Sequence, residues 1–317
     1  AGSTNGIEKE LISSLNIPYY PISTGKLRRY FSWQTFLTPF YVLKGIYEAF
    51  QLCRKIKPNL VFSKGGFVSV PIIIGAWLNK IPVIAHESDL TPGLANRIAY
   101  PFVKKIAFSF PQTQQYFKNQ NKLVYTGTPI RNELLKGDAF LGKKFLNFPE
   151  DKPLLLIYGG GLGSTAINKA IRNILPELTK EFNVVHCCGK NKIDSDFTGY
   201  AGYKQFEYLH EELAHVMAAA HIIISRAGAN SIYELLALKK PHLLIPLSKK
   251  ASRGDQIDNA KYFEHLGLSL VLQEEDLTKE NLLKQIHYLL NKHHHFHEAL
   301  MKYSVPDSLK LLIKLID

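Results

Sequence analysis

The sequence predicts an α/β fold of two Rossmann-like, doubly wound domains, on three observations. Buried apolar runs alternate with helical patterns along the chain, which is typical of parallel sheets covered by helices. A glycine-rich turn follows an apolar run in each half, at residues 65–66 and 159–163. The chain has 317 residues, which is enough for two separate cores.

The composition indicates a globular protein with an anionic partner. Hydrophobic residues make up 46% of the chain, but no apolar run reaches the roughly 18 residues that a membrane span needs. The net charge of +12 favours phosphates, nucleic acid or an acidic membrane surface. We recognise no nucleic-acid module and so expect no nucleic-acid partner. Cys53, Cys187 and Cys188 are odd in number, which indicates free thiols in a reducing compartment.

The first half contains the predicted elements of one domain. A cationic, aromatic segment, residues 26–40 from Lys26 to Phe40, precedes the first long helical pattern. Cations beside aromatic side chains suit the interface of an anionic bilayer, although the aromatics could instead pack in the core. Thr91 and Pro92 suit the N-cap and first position of a further helix. The predicted strands are 59–63, 81–85, 105–110 and 122–125, and the predicted helices are 41–56 and 70–78.

The predicted domain boundary lies in the turn that ends at Arg131. A Lys-rich stretch without strong periodicity follows this turn, so we divide the chain into domains 1–131 and 132–303. Pro306 breaks the last helical pattern. We therefore expect the terminal helix, 304–317, to return to the first domain.

The second domain is organised around residues 221–259. An apolar strand, 221–225, precedes a glycine-containing turn, a helix, a second apolar strand, 242–246, and a polar stretch, which together form a parallel β-α-β unit. Because the carboxyl ends of parallel strands share one edge, we expect the polar residues after each strand to meet there. Those residues are Arg226, Asn230, Glu234, Asp255, Gln256 and Asn259. The other predicted strands are 154–158, 183–187 and 269–272, with a short apolar piece at 205–209 and a helix at 211–220.

A glycine-rich turn between a strand and a helix is the candidate phosphate site. Backbone N–H groups at a helix N-terminus attract phosphate oxygens. The spacing matches neither a dinucleotide motif nor a P-loop. A tight turn is the structural alternative, but three consecutive glycines exceed what a turn needs. The candidate residues are Gly159, Gly160, Gly161, Leu162, Gly163 and Ser164.

Four polar side chains near two predicted helix starts have both a structural and a binding interpretation. Ser231 and Glu234 form a Ser-x-x-Glu capping box, although a carboxylate at a helix start could instead bind ribose hydroxyls. Asp255 and Gln256 suit sugar hydroxyls. Their alternative is a solvated loop in which Asn259 caps the next helix.

Charged residues directly after strands are the other candidates. The fork of Arg226 suits two phosphate oxygens or a carboxylate in the interior. His86 and Glu87 end a strand, and such a pair could take a proton from an attacking hydroxyl; a structural histidine is the alternative. The His-rich tract 293–297 has no neighbouring Cys ligand, so we interpret it as an exposed helix face and expect no metal site.

Six motifs occur in the order in which one enzyme family carries them. They are residues 65–69, 86–96, 127–131, 159–164, 226–234 and 255–260. In this register the chain resembles the GT-B glycosyltransferases, and among them the members of glycosyltransferase family 28 that act in peptidoglycan synthesis. The resemblance implies two domains that face each other across a cleft. It also implies an inverting transfer of N-acetylglucosamine from UDP-N-acetylglucosamine to the C4 hydroxyl of undecaprenyl-diphosphate-linked N-acetylmuramoyl-pentapeptide.

The resemblance implies a location and partners as well. The protein would be peripheral to the cytoplasmic face of the bacterial plasma membrane. Its segment 26–40 would meet the anionic membrane surface. UDP-N-acetylglucosamine and the undecaprenyl-diphosphate-linked acceptor would be its partners, and no cofactor is expected.

The resemblance assigns roles residue by residue. In the second domain, residues 159–164 would hold the diphosphate, Arg226 would neutralise the leaving UDP and Glu234 would hold the ribose hydroxyls. In the first domain, His86 would line the acceptor side, and we expect the His86 and Glu87 pair found at the strand end to be catalytic there. The remaining substrate contacts would come from Gly65, Gly66, Phe67, Asp89, Arg131, Tyr208, Leu209, Ala229, Asn230, Ser231, Asp255 and Gln256.

Two positions depart from the family pattern. Gly161 replaces a serine of the glycine turn, and Asp89 replaces an asparagine on the acceptor side. The family's Gly-x-Gly-Gly-His loop would precede Ala1, where we expect a further β-α segment. Two alternatives therefore stay open: a homologue that binds the UDP-sugar without chemistry, and another GT-B enzyme such as a UDP-N-acetylglucosamine 2-epimerase.

Overall fold

The computed structural model describes residues 1–4, 9, 12, 15–24, 33–149, 151–160 and 163–317, with the backbone alone for 33–38. The chain divides into two compact units. Unit 1 comprises Ala1–Gly127 and Lys310–Asp317, and unit 2 comprises Thr128–Leu309. Within the described ranges, no helix is both long enough and apolar enough to cross a membrane.

The strands of unit 1 are all paired in parallel. They are β1 (Gly2–Ser3), β2 (Pro21–Ile22), β3 (Val61–Ser63), β4 (Val83–Glu87), β5 (Lys105–Phe108) and β6 (Leu123–Tyr125). β1 pairs with β2, and β3 to β6 form a four-stranded sheet in chain order. The register sets Ser63 opposite Ala85 and His86 opposite Ala107. The carboxyl end of β4 therefore lies between two neighbouring strands, and all five of its residues are buried.

Three α-helices of unit 1 are α1 (Trp33–Ile56), α2 (Ser69–Leu78) and α3 (Leu94–Ala99). A Cβ atom on Gly75 would stand 2.7 Å from the Cβ of Ala49, so glycine is what lets α1 and α2 pack this closely. Ile73 of α2 is fully buried in the core with Val83 and Ile106 of the sheet.

Unit 2 contains a six-stranded sheet in which every pairing is parallel. The strands are β7 (Leu154–Tyr158), β8 (Asn183–Cys187), β9 (Tyr203–Phe206), β10 (Ile222–Ser225), β11 (His242–Leu244) and β12 (Leu270–Val271). Across the sheet they run β9-β8-β7-β10-β11-β12, the 3-2-1-4-5-6 order of a doubly wound fold. From β7 the chain adds β8 and β9 on one side and then crosses to β10 on the other side. The strand order therefore reverses between β7 and β10.

Helices cover the sheet of unit 2. They are α4 (Ala139–Leu146), α5 (Thr165–Asn173), α6 (Leu175–Glu181), α7 (Glu212–Ala219), α8 (Ala229–Ala237), α9 (Asp255–His265), α10 (Lys279–Asn291) and α11 (His293–Lys302), and α12 (Ser308–Ile316) follows. Leu155, Ile157 and Ile224 of the central strands are fully buried in one apolar cluster with Ile167 and Ile286 of the helices. The continuous apolar runs of the sequence are thus the strands that are covered on both faces.

The predicted α/β class is confirmed, but several boundaries are wrong. The helix expected to start at Thr91 and Pro92 begins at Leu94, with Gly93 before it and no side-chain cap. Glu87 accepts hydrogen bonds from the backbone N–H groups of Asp89, at 3.0 Å, and of Gly93, at 2.9 Å, and so holds the intervening chain in a non-helical bend. The apolar piece at 205–209 forms a strand two residues earlier, and the opening turn contains β1.

The sequence did not predict α4. Asp138 caps this helix by accepting from the N–H of Phe140 at 2.7 Å and of Leu141 at 3.3 Å. Its buried positions are Gly142 and Leu146, while its aromatic residues are exposed. The apolar residues therefore do not mark the buried face, which is why the segment had no recognisable periodicity.

Candidate active site

The topology of unit 2 places its candidate site at one point of the sheet. In open α/β sheets ligands bind outside the carboxyl ends of the strands where the strand order reverses. Here that point lies between β7 and β10, which pair from Ile222↔Leu155 to Ser225↔Tyr158. The residues that leave these two strand ends are the glycine turn and Arg226, as the sequence predicted.

Two described positions of the glycine turn after β7 have a positive φ, which favours glycine for folding alone. A Cβ on Gly163 would collide with the carbonyl oxygen of Cys188, and Gly163 has a positive φ of 64°. Gly160 also has a positive φ, 81°, but its hypothetical Cβ would meet nothing within 4 Å. Ser164 is the N-cap of α5 and accepts from the N–H of Ile167 at 3.3 Å. Gly161 and Leu162 lie outside the described residues.

Arg226 joins the glycine turn to the neighbouring strand end. Its Nη1 donates to the carbonyl oxygens of Ile245 at 3.1 Å and Pro246 at 3.2 Å. Its Nη2 donates to Ser164 Oγ at 2.6 Å and also pairs with the carboxylate of Glu274. Only 11% of the side chain is exposed. The guanidinium therefore reaches an internal carboxylate, the structural alternative considered from the sequence, and it also places a fixed positive charge beside the glycine turn.

Glu234 does not act in a capping box, so that prediction is wrong. α8 begins at Ala229 after Gly228, two residues before Ser231, and its first turn has no side-chain cap. Glu234 instead accepts from Arg131 Nε at 3.1 Å. Burial raises the pKa of Glu234, and the adjacent Arg131 offsets part of that shift. A buried carboxylate thus stands one turn into a helix that starts at the sheet edge.

Asp255 and Gln256 lie in the first turn of α9, whereas the sequence placed them in a loop. Gln256 Oε1 accepts from the N–H of Leu247 at 3.0 Å and so fixes the chain that follows β11. Asp255 pairs with Arg253, with Nη2 and Oδ2 3.6 Å apart. Asn259, expected as a possible cap, is fully buried within the helix.

The remaining predicted contacts of unit 2 differ in exposure. Ala229 is buried at the start of α8, Asn230 is exposed and Ser231 is half-buried. Tyr208 and Leu209 follow β9, at the outer strand of the same sheet, and the Tyr208 side chain is 38% exposed. Its ring lies 6.3 Å from that of His210. Tyr208 therefore presents an exposed aromatic ring at the β9 edge of the sheet.

In unit 1, His86 is a fully buried, neutral histidine. Its Nε2 lies 3.0 Å from the carbonyl oxygen of Gly127, which makes Nε2 the donor. Its Nδ1 is therefore the acceptor for Lys64 Nζ and Ser88 Oγ, both at 3.2 Å. Burial, reinforced by the charge of Lys64, lowers the pKa of His86 to about 4.

Glu87 does not pair with His86, contrary to the expectation of a catalytic dyad. Besides the N–H groups of Asp89 and Gly93, its carboxylate accepts from Asn96 Nδ2 at 2.8 Å. The backbone direction explains this, because consecutive residues of a strand point to opposite faces. Glu87 organises the turn after β4, where Asp89 lies.

Asn96 lies within the motif at residues 86–96 but was not among the predicted site residues. Its Oδ1 is buried and has no hydrogen-bond partner. Its amide faces Gly65, whose hypothetical Cβ would lie 3.2 Å from Asn96 Nδ2. Gly65 and Gly66 both have positive φ, 87° and 86°, and Phe67 beside them is 41% exposed. A buried acceptor without a hydrogen-bond partner indicates a possible binding group, and only the structure shows it.

Comparison with known proteins identifies the family. The model of the glycosyltransferase family 28 N-terminal domain matches residues 1–108, and that of the C-terminal domain matches residues 154–314. The chain belongs to glycosyltransferase family 28. The family assignment agrees with the resemblance drawn from the six motifs.

Curated relatives in family 28 match nearly the whole chain. A protein of Geobacillus kaustophilus is 54% identical over 99% of this chain and 88% of its own length. A protein of Legionella pneumophila strain Paris is 54% identical over 92% of this chain and 80% of its own length. Both are named UDP-N-acetylglucosamine–N-acetylmuramyl-(pentapeptide) pyrophosphoryl-undecaprenol N-acetylglucosamine transferase.

Solved structures agree with the fold. The crystal structure of Acinetobacter baumannii MurG matches with a TM-score of 0.77 at 26% identity, covering 99% of this chain and 89% of that one. The UDP-GlcNAc 2-epimerase of Neisseria meningitidis, bound to UDP-GlcNAc, matches with a TM-score of 0.65 at 14% identity over 98% and 88% of the two chains. The second likeness shows the fold alone. The two-domain GT-B class expected for family 28 is confirmed.

Proposed function

We propose that this family 28 protein transfers N-acetylglucosamine from UDP-N-acetylglucosamine to the C4 hydroxyl of undecaprenyl-diphosphate-linked N-acetylmuramoyl-pentapeptide in peptidoglycan synthesis. The names of relatives that are 54% identical to it support this reaction. The structural observation that carries the proposal is the contact of Arg226 with Ser164 at the reversal point of the unit 2 sheet. It joins a fixed cation to a helix N-terminus, which is the arrangement that a sugar-nucleotide diphosphate needs.

The donor would bind along the carboxyl edge of the unit 2 sheet. The turn from Gly159 to Ser164 and the N-terminus of α5 would hold the diphosphate. Glu234 would accept hydrogen bonds from the ribose hydroxyls. Its carboxylate is already buried, so binding would cost it little further desolvation. Tyr208 and Leu209, at the β9 edge, would contact the uracil, and the first turns of α8 and α9 would supply the remaining contacts: Ala229, Asn230, Ser231, Asp255 and Gln256.

The transfer is a single displacement. The acceptor hydroxyl oxygen forms a bond to the anomeric carbon and releases its proton to water, while the bond from that carbon to the diphosphate oxygen breaks, which inverts the configuration. Negative charge grows on the leaving UDP, and the guanidinium of Arg226 and the amides at the start of α5 stabilise it. Such preorganised charge typically supplies several kcal/mol of transition-state stabilisation.

On the acceptor side we assign His86 and Glu87 to positioning. Both nitrogens of His86 are engaged, its ring is buried and its pKa is low, so it is a poor base in this geometry. Glu87 holds Asn96 and the turn that carries Asp89. Gly65, Gly66 and Phe67, the other predicted acceptor-side residues, form the neighbouring turn.

We also propose that the protein works at the cytoplasmic face of the plasma membrane, because its acceptor is lipid-linked. Residues 25–32 and the side chains of 33–38 lie outside the described residues, so the predicted membrane segment can be followed only at its end. There Phe40 is 70% exposed, and Tyr41, Leu43 and Tyr47 of α1 are exposed with it. Exposed aromatics on a strongly cationic protein support a peripheral attachment.

A turnover assay with the full-length protein tests the reaction. UDP-N-acetylglucosamine and detergent-solubilised acceptor should yield UDP and the disaccharide-linked lipid, and Arg226→Ala should cut the rate by roughly 100- to 1,000-fold without changing the far-UV circular dichroism. Binding of the donor without product would support the non-catalytic homologue. Conversion of the donor to its 2-epimer would support the epimerase alternative. A near-normal rate for Arg226→Ala would contradict the role of Arg226.

A further inference from the structure

A surface of unit 2 exposes apolar side chains that the proposed transfer does not use. α4 lies on α7 through Gly142, whose hypothetical Cβ would collide with the carbonyl oxygen of His215. This contact leaves no room for a side chain on the inner side at that position. Outside it, Phe140 is 71% exposed, Leu141 44% and Phe145 42%. The Phe145 ring lies 5.8 Å from the ring of Phe206 in β9 and is partly explained by this packing, whereas the structure gives the more exposed Phe140 no aromatic partner within the described residues.

These side chains share one side of the helix. At 3.6 residues per turn, Phe140, Leu141, Lys144 and Phe145 fall within an arc of roughly 140°, whereas the buried Gly142 and Leu146 lie on the opposite side. We call these four residues the α4 face. Leu135, which is 53% exposed, lies in the short turn before the helix. The α4 face thus combines three exposed apolar side chains with one lysine, Lys144.

The charge around the α4 face is positive. Lys136, Lys143 and Lys144 are exposed. α4 itself contains two lysines and no acidic residue. Asp138, directly before it, uses its carboxylate to cap the first turn, and Glu133 and Asp151 lie farther along the chain on either side. A surface that combines aromatic side chains with lysines is complementary to an anionic, amphiphilic partner.

We propose that the α4 face inserts into the interface of an anionic lipid bilayer, as a membrane contact of unit 2. Its three apolar side chains expose roughly 300 Å². A stable protein–protein interface needs about 800 Å² on each partner, whereas interfacial insertion requires only a few aromatic and aliphatic side chains beside lysines. Charge complementarity and area therefore both favour a bilayer. The proposal concerns unit 2 by itself and does not depend on the transfer reaction.

A site-specific probe tests the insertion. The three native cysteines are buried, so a fluorophore attaches selectively to Leu141→Cys. In full-length protein bound to phosphatidylglycerol–phosphatidylcholine vesicles, lipids spin-labelled in the acyl chain should quench this fluorophore. The same label at Tyr288→Cys, a 48% exposed position of α10, is the matched control and should stay unquenched. A bound protein without quenching at position 141, or a protein that does not bind these vesicles, would overturn the proposal.

Charge variants separate local contact from general attraction. Lys143→Gln with Lys144→Gln should lower partitioning onto the anionic vesicles by roughly tenfold. Lys284→Gln with Lys292→Gln removes the same charge from exposed positions elsewhere in unit 2 and should change partitioning far less. An equal loss for both pairs would mean attraction by net charge alone. Turnover on detergent-solubilised acceptor should be normal in both double variants. A loss of turnover would count against the proposed reaction and not against the α4 face.

Discussion

Arg131 and Glu234 form an ion pair in which Nε and Oε1 lie 3.1 Å apart, although the two side chains differ in exposure, 53% for the arginine and 10% for the glutamate. Burial raises the pKa of Glu234, so the desolvation of its carboxylate outweighs the attraction of Arg131. Such a pair contributes little to folding, because desolvation consumes most of the Coulombic gain. We therefore expect the Glu234 carboxylate to be dispensable for folding.

Glu234→Gln should therefore separate binding from stability. We expect the free energy of unfolding at pH 7 to be unchanged or higher, because the mutation removes a buried charge. The affinity for UDP-N-acetylglucosamine should fall roughly 10- to 100-fold, as expected when charge-assisted hydrogen bonds are lost. Urea denaturation and calorimetric titration measure the two effects. Glu177→Gln, which removes the carboxylate of the exposed Lys279 pair, is the control; unchanged donor affinity in Glu234→Gln would refute the ribose role.

Ser164→Ala tests whether the cap of α5 also serves the phosphate site. Ser164 Oγ accepts from the N–H of Ile167 and from Arg226 Nη2. Loss of an N-cap costs about 1 kcal/mol of stability. Thr278→Ala removes the comparable cap of α10, where Thr278 Oγ1 accepts from the N–H of Asn281 at 3.2 Å.

Both cap variants should lose similar stability in urea denaturation. Only Ser164→Ala should also lower the rate of transfer, since Arg226 is then free to turn away from the glycine turn. Equal turnover in the two variants would show that the Arg226 contact is purely structural.

The apolar periodicity of the sequence predicted most of the unit 2 sheet, because strands buried on both faces consist almost wholly of apolar residues. Leu154–Tyr158 and Asn183–Cys187 match their predicted bounds. α4 escaped prediction because close backbone contact at Gly142, and not a row of apolar side chains, attaches it to α7. The outward aromatics would have suggested the wrong buried face. Close helix contact through glycine requires knowledge of the neighbouring backbone, which a single sequence does not contain.

The sequence predicted where the candidate site residues lie, at the ends of strands, but it predicted their contacts less well. Arg226 and the glycine turn follow adjacent strands, so the parallel β-α-β pattern was sufficient to bring them together. The partner of Glu234 was not predictable from local spacing, because Arg131 is 103 positions away in the sequence. Ser231 and Glu234 have the spacing of a capping box, yet the helix begins two residues earlier. Asn96 was missed for a related reason, since its orphan oxygen is a property of burial.

Gly228→Ala should impair donor binding without harming the fold. Gly228 has an ordinary φ of −65°, and a Cβ there would meet nothing within 4 Å. Alanine fits such a backbone and commonly stabilises by about 0.4–1 kcal/mol. The space beside Gly228, at the start of α8, is where the donor is proposed to lie, so KM for UDP-N-acetylglucosamine should rise while the unfolding midpoint holds or increases.

Gly163→Ala is the contrasting variant. Its Cβ would collide with the Cys188 carbonyl, and its positive φ disfavours any side chain. We expect a loss of stability on the order of 1–3 kcal/mol, with binding lost as a consequence. A normal KM in a stable Gly228→Ala protein would place the donor elsewhere.

Three buried histidines should make the protein unstable in mild acid. Burial lowers the pKa of His86 to about 4, of His186 to about 3 and of His242 to about 4. Each is depressed below the unfolded value near 6.5, so the unfolded chain binds more protons as the pH falls. The stability contributed by the neutral rings is complete above about pH 6.5 and is lost toward pH 4, by about 1.4 kcal/mol per pH unit for each histidine.

His242→Gln tests this linkage in unit 2. His242 Nδ1 donates to the Lys240 carbonyl at 2.7 Å, and its Nε2 accepts from Ser269 Oγ at 2.6 Å. Glutamine keeps an acceptor for Ser269 but cannot be protonated in this range. The variant should be less stable than the wild type at pH 7.5. Between pH 6.5 and 4.5 its unfolding free energy should fall with a slope that is smaller than the wild-type slope by about 1.4 kcal/mol per pH unit. His294→Gln, at a side chain that is 86% exposed, should leave the slope unchanged. A His242→Gln slope that equals the wild-type slope would show that His242 is not held neutral by burial.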